Sequence, residues 1–78
     1  MKPGIKSYNH LNEIIVELIK ESGRELSASQ INDMILNRYR VGKIHMSARS
    51  ISKRLRGVDE IECTVGRPYL YRHTNANL

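Results

Sequence analysis

The stretch Met46-Ser47-Ala48-Arg49-Ser50-Ile51-Ser52-Lys53-Arg54-Leu55-Arg56 holds two patterns at once. Ile51 and Leu55, with Ala48 before them and Val58 after, fall on one stripe at helical spacing. Ser47 stands where a side-chain oxygen caps a first turn, and Met46 and Ile51 bracket it at the spacing of a hydrophobic staple. A step of about 100° per residue then turns Arg49, Lys53 and Arg56 away from that stripe, with Ser50 and Gly57 beside them. The spacing predicts a short helix over about 47–57, anchored by few apolar side chains and basic on its outer face.

Upstream, Leu11, Ile14, Ile15, Leu18 and Ile19 recur as the stripe of a longer helix. Ser7 or Asn9 can cap it, Glu13, Glu17 and Glu21 lie on its polar side, and Ser22-Gly23 supplies a left-handed stop. A second helix is predicted to start at Ser27, where Ser27 and Gln30 have capping-box spacing and Leu26 and Ile31 that of a staple. Ala28, Ile31, Met34 and Ile35 share its inner face, Tyr39 sits at the margin, and Gly42 marks the stop after about four turns. Lys43 to His45 reads as a turn or short extended stretch.

Downstream the apolar period changes from 3.6 to 2. Ile61, Cys63 and Val65 alternate with Glu62 and Thr64, Gly66-Arg67-Pro68 signals a turn, and Tyr69 to His73 reads as the returning strand. Cys63 is expected in the core as a small hydrophobe, and at least one of Tyr69 and Tyr71, which share a face, is expected there too. The polar tail, 74–78, is expected to fray. The fold class is therefore α+β: a three-helix bundle followed by a β-hairpin, one domain over 1–78 with its core at about 8–73.

Charge separates the two halves of the chain. Of a net +5, from 13 Lys and Arg against 8 Asp and Glu, residues 1–37 contribute −1, four basic side chains against five acidic. Residues 38–78 contribute +6, nine against three, and no acidic residue lies between Met34 and Val58. Such a field without internal partners suits a polyanion. At 78 residues, with 40% hydrophobic and 27% charged side chains, the chain can fold as one small domain but cannot roof a substrate cavity, so a stand-alone enzyme is not expected. No segment reaches the ~18 apolar residues of a membrane span, and the start lacks a secretory apolar run, so a cytoplasmic protein is expected. The single Cys63 cannot form an intramolecular disulfide, which fits a reducing compartment.

From about residue 8 to 73 the chain resembles the winged helix-turn-helix DNA-binding domains of small prokaryotic, archaeal and viral transcription regulators. Leu26 to Ile31 looks like the start of their second helix, Met46 to Arg56 like their recognition helix, and Ile61 to His73 like their wing. Two features depart from the pattern: the connection Arg38 to Met46 is longer than a tight helix-turn-helix turn, and the wing tip is short.

The resemblance implies double-stranded DNA as partner, with helix 47–57 in the major groove and wing 61–73 on adjacent backbone or minor groove. Arg49, near the helix start, suits direct readout, since its fork can bind guanine O6 and N7 together. Ser50 allows close approach, Lys53 suits a base or a phosphate, and Arg54 and Arg56 suit phosphates. Ser47 serves as cap and, with Ser50 and Ser52, keeps the helix thin, which suits insertion. Arg67 at the wing tip is assigned to minor groove or backbone. Arg38, Arg40 and Lys43 either extend the phosphate footprint or simply complement the end of the second helix.

Other functions find less support. His10, His45 and His73 are dispersed, no Cys/His spacing suits a metal, and no glycine-rich phosphate loop occurs. No catalytic residue, metal, cofactor or small-molecule substrate is therefore expected. A winged helix used for protein interaction or assembly is the alternative reading; the basic outer face counts against it. RNA binding is a third, without an RNP or KH signature. Val16 and Leu36 fall on outward sides of their helices, which together with the small footprint of one recognition helix points to a homodimer.

Overall fold

The computed structural model describes residues 2–74. Within them the elements run α1 (Tyr8–Ser22), β1 (Leu26–Ser27), α2 (Ala28–Arg38), α3 (Ala48–Leu55), β2 (Ile61–Thr64) and β3 (Leu70–His73). The three strands form an antiparallel sheet in the order β1-β3-β2. Three helices followed by a hairpin whose returning strand occupies the sheet centre is the winged-helix layout.

Each helix starts where a short polar side chain accepts an otherwise orphaned N–H. Ser7 rather than Asn9 caps α1, its Oγ accepting from His10, and Gly23 ends the helix at φ 64°. Ser27 caps α2 in a complete box: Oγ accepts the Gln30 N–H at 3.2 Å while Gln30 Oε1 accepts the Ser27 N–H at 2.9 Å. Sequence reasoning assigned Leu26 and Ser27 to the helix start alone, but both also pair with β3, Leu26 opposite Tyr71 and Ser27 opposite Leu70. An N-cap residue has extended dihedrals, here φ −80° and ψ 159°, so a strand can run straight into the helix it caps.

The core is built by α1, which buries Leu11, Ile14, Ile15, Leu18 and Ile19, with Ile31 and Ile35 from α2, Ile51 and Leu55 from α3, and Leu26, Ile61 and Tyr71 from the sheet. Val16, placed on the outward side by spacing, is half-buried and packs against this cluster, as Val58 does, whereas Leu36 remains 40% exposed.

Four expectations are corrected. Helix α2 stops at Arg38 instead of running to Gly42, because Tyr39 turns extended and the chain pairs with the N-terminal segment. There the Arg40 N–H donates to Pro3 O at 2.9 Å and the Ile5 N–H to Arg40 O at 3.0 Å. Gly42, at φ 56°, instead serves a turn closed by the Ile44 N–H on Val41 O. Cys63 is exposed and Val65 is 76% exposed. The register puts Cys63 opposite buried Tyr71, hence on the inner face as alternation indicated, but on an edge strand past the reach of the helices. Finally, Thr74 is half-buried and donates its N–H to Glu60 O at 2.9 Å, extending the ordered hairpin base by one residue; the remainder of the expected tail lies outside the described residues.

Candidate nucleic-acid interface

Only Ile51 and Leu55 of α3 are buried; Arg49 and Lys53 are exposed, and Arg56 at its C-cap is exposed too. Two flanking side chains fix the helix between its neighbours. Toward the sheet, the Ser52 hydroxyl is hydrogen-bonded to that of Tyr71, the buried residue at the centre of the sheet. Toward α1, the Arg54 guanidinium lies over the Tyr8 ring, 4.2 Å from its centroid, and Nη1 donates to Asn12 Oδ1 at 3.4 Å. The Tyr8 hydroxyl in turn accepts the His45 N–H, at 3.4 Å, from the connection leading into α3. Held on both flanks, α3 has one direction in which to present Arg49 and Lys53: away from the core.

The start of α3 adds to the positive field. Ser47 Oγ accepts the Ser50 N–H at 3.1 Å, and its hydroxyl proton is still available to donate. The first-turn N–H groups carry the positive end of the helix dipole. His45, Ser47, Arg49, Ser50, Lys53 and Arg54 border one open groove at this end. On the sheet side, Arg49 and Arg56 border a second groove with Tyr69 and Pro68 of the wing. A third, beside the N-terminal segment, gathers Lys6, Arg40 and Lys43. Arg67 is exposed at the hairpin tip, separate from all three.

Among the described residues, the ion pairs are Arg72 with Glu62 and His73 with Glu60. Arg72 donates from Nε at 2.9 Å and Nη2 at 2.7 Å to the same Glu62 oxygen, so its charge is spent across the hairpin. None of Arg40, Lys43, Arg49, Lys53, Arg54, Arg56 or Arg67 is in an ion pair among these residues. The carboxylates gather elsewhere: Glu13, Glu17 and Glu60 border a groove between α1 and the turn after α3.

Two contributors escaped sequence reasoning: Tyr8 supports Arg54, and Lys6 joins Arg40 and Lys43. Of the two wing tyrosines, Tyr69 is the one that borders the sheet-side groove from the outside. Tyr8 and Lys6 lie outside the regular apolar pattern and gave no signal; Tyr69 shared the alternation of Tyr71, which hid their different burial.

No group of three or more His, Cys, Asp or Glu among the described residues is placed to hold a metal, and no described helix is long and apolar enough to cross a membrane. The layout and the unpaired basic helix define the class: a small α+β domain of three helices and an antiparallel hairpin. Comparison with protein-family models, with curated proteins and with solved structures found no match to this chain.

Proposed function

We propose that this domain binds duplex DNA, as a transcription regulator would, with α3 in the major groove and the β2–β3 wing on the adjacent backbone or minor groove. The observation that carries the reading is that Arg49 and Lys53 on a helix clamped from both flanks, and Arg56 at its C-cap, are exposed and in no ion pair among the described residues. An α-helix fits the major groove, and a bidentate guanidinium there reads guanine. Arg49, in the first turn, takes that role, with Ser50 beside it. Lys53 and Arg56 hold phosphates along the groove walls, and the Ser47 hydroxyl donates to a phosphate at the helix start. Arg54 adds charge from its place over Tyr8. Arg40 and Lys43 extend the footprint on one side and Arg67 on the other. A homodimer would pair two such helices across half-sites, leaving Leu36 as an exposed apolar contact.

Fluorescence anisotropy with mixed-sequence duplex at several salt concentrations tests this reading. With five to seven phosphate contacts, log K is expected to fall against log salt with a slope of about −4.5 to −6 per monomer. Absence of binding at ~50 mM salt, where such contacts register strongly, rejects it in favour of a protein-interaction module.

A further inference from the structure

The two tyrosines of the wing have opposite surroundings. Tyr71 is 1% exposed and bonded to Ser52, whereas Tyr69 is 43% exposed and makes no hydrogen bond among the described residues. Alternation puts the two on one side of the chain, so anchoring Tyr71 against α3 brings Tyr69 to the rim of the same groove. Arg49 and Arg56 line that groove, and Ala28 and Ala48 give it small apolar side chains. No acidic residue lines it.

A phenol ring left wet beside two unpaired guanidinium groups offers a flat apolar face with anion-binding partners around it. A duplex presents base edges and keeps the base faces stacked, whereas a single strand presents those faces together with flanking phosphates. Aromatic stacking combined with backbone neutralisation is the chemistry by which single strands are held without sequence readout. We infer that the groove between α3 and the wing is a stacking subsite for an unpaired base, so that the protein binds single-stranded DNA as well. Tyr69 is the platform, and Arg49 and Arg56 hold the phosphates on either side. The inference shares Arg49 and Arg56 with the duplex reading but does not depend on it.

The test is anisotropy of labelled oligo-dT of about 12 nucleotides, within the 4–16 nucleotide range typical of such sites, beside a duplex closed at both ends by loops. Wild type, Tyr69→Ala and Tyr69→Phe are compared. Tyr69→Ala is expected to weaken oligo-dT binding roughly ten- to a hundredfold, the scale of one stacked base. Tyr69→Phe keeps the ring and is expected to stay within about threefold of wild type, as is closed-duplex binding by either variant. Because Tyr69 is exposed, unchanged thermal melts should accompany these results. Failure of wild type to bind oligo-dT overturns the inference, as does equal binding by Tyr69→Ala, an equal loss with Tyr69→Phe, or an equal loss on the closed duplex. Tyr69-dependent oligo-dT binding without duplex binding removes the duplex reading and leaves this one standing; duplex binding without oligo-dT binding does the reverse.

Discussion

Helices α1 and α3 are both amphipathic, and they divide the work of the molecule between them. The first has 15 residues and buries five large aliphatic side chains; the second has 8 and buries two. Burying a Leu or Ile contributes about 1.5–3 kcal/mol, so α1 supplies more of the core than α3 can. In return, α3 leaves most of its surface free for side chains that do not pack. The polar face of α1 is acidic and turned elsewhere, while that of α3 is basic. Of these two helices, the one that contributes less to the core leaves the larger share of its residues outside it, and it depends on side contacts, Ser52 to Tyr71 and Arg54 to Tyr8, for its orientation.

Substitutions can separate these two roles. The largest effect is expected for Ile15→Ala in α1, which should cost about 2–5 kcal/mol in urea denaturation, much of the stability available to a small domain. Its folded fraction should still bind duplex DNA with wild-type affinity; a loss under ~1 kcal/mol would place the main support of the core elsewhere.

In α3, Arg49→Ala with Lys53→Ala should reverse the pattern. Melting should change by no more than about 0.5 kcal/mol, as for surface sites generally. Duplex affinity should fall about a hundredfold at low salt, and the salt slope should become shallower by about 0.9, the one phosphate contact that Lys53 makes while Arg49 reads a base. A loss of affinity with an unchanged slope would instead assign both residues to bases.

The side contacts come next in size. Ser27→Ala should cost about 1 kcal/mol of stability by removing the α2 cap, and Tyr71→Phe about the same by removing one buried hydroxyl contact to α3. Of the two, Tyr71→Phe is expected to reduce DNA affinity further than stability alone requires, because it frees one flank of α3. Equal affinity losses in the two variants would show that orientation of α3 does not rest on that bond.

The smallest effect is expected on the acidic side. Glu13→Gln with Glu17→Gln should raise duplex affinity less than about twofold at low salt and not at all at 0.5 M, where charges this far from the ligand are screened. A larger gain would mean that α1 faces the nucleic acid after all.

Much of the fold was legible because its signals are local. The α1 stripe, the Ser27–Gln30 box and the Ser47 cap each involve residues within a few positions of one another, and all appear where spacing placed them. The end of α2 was not legible. Nothing between Arg38 and Gly42 is a strong helix breaker, and the helix stops there because Arg40 finds backbone partners in Pro3 and Ile5, more than thirty positions away. The hairpin divides in the same way. Alternation identified the inner face of β2, but whether Cys63 is covered depends on how far the helices extend over the sheet.

For the candidate site, the identities of Arg49, Lys53 and Arg56, and their place opposite Ile51 and Leu55, follow from helical spacing and the missing acidic residues. By itself the sequence determined the elements, their order and the sign of the charge on each face, since caps, periodicity and charge are properties of neighbouring residues. Tertiary structure alone decided that Leu26 and Ser27 join the sheet, that Arg54 settles over Tyr8, and that Tyr69 stays wet while Tyr71 is buried. Those outcomes depend on which distant surfaces meet, and a one-dimensional pattern does not encode where one packed surface stops covering another.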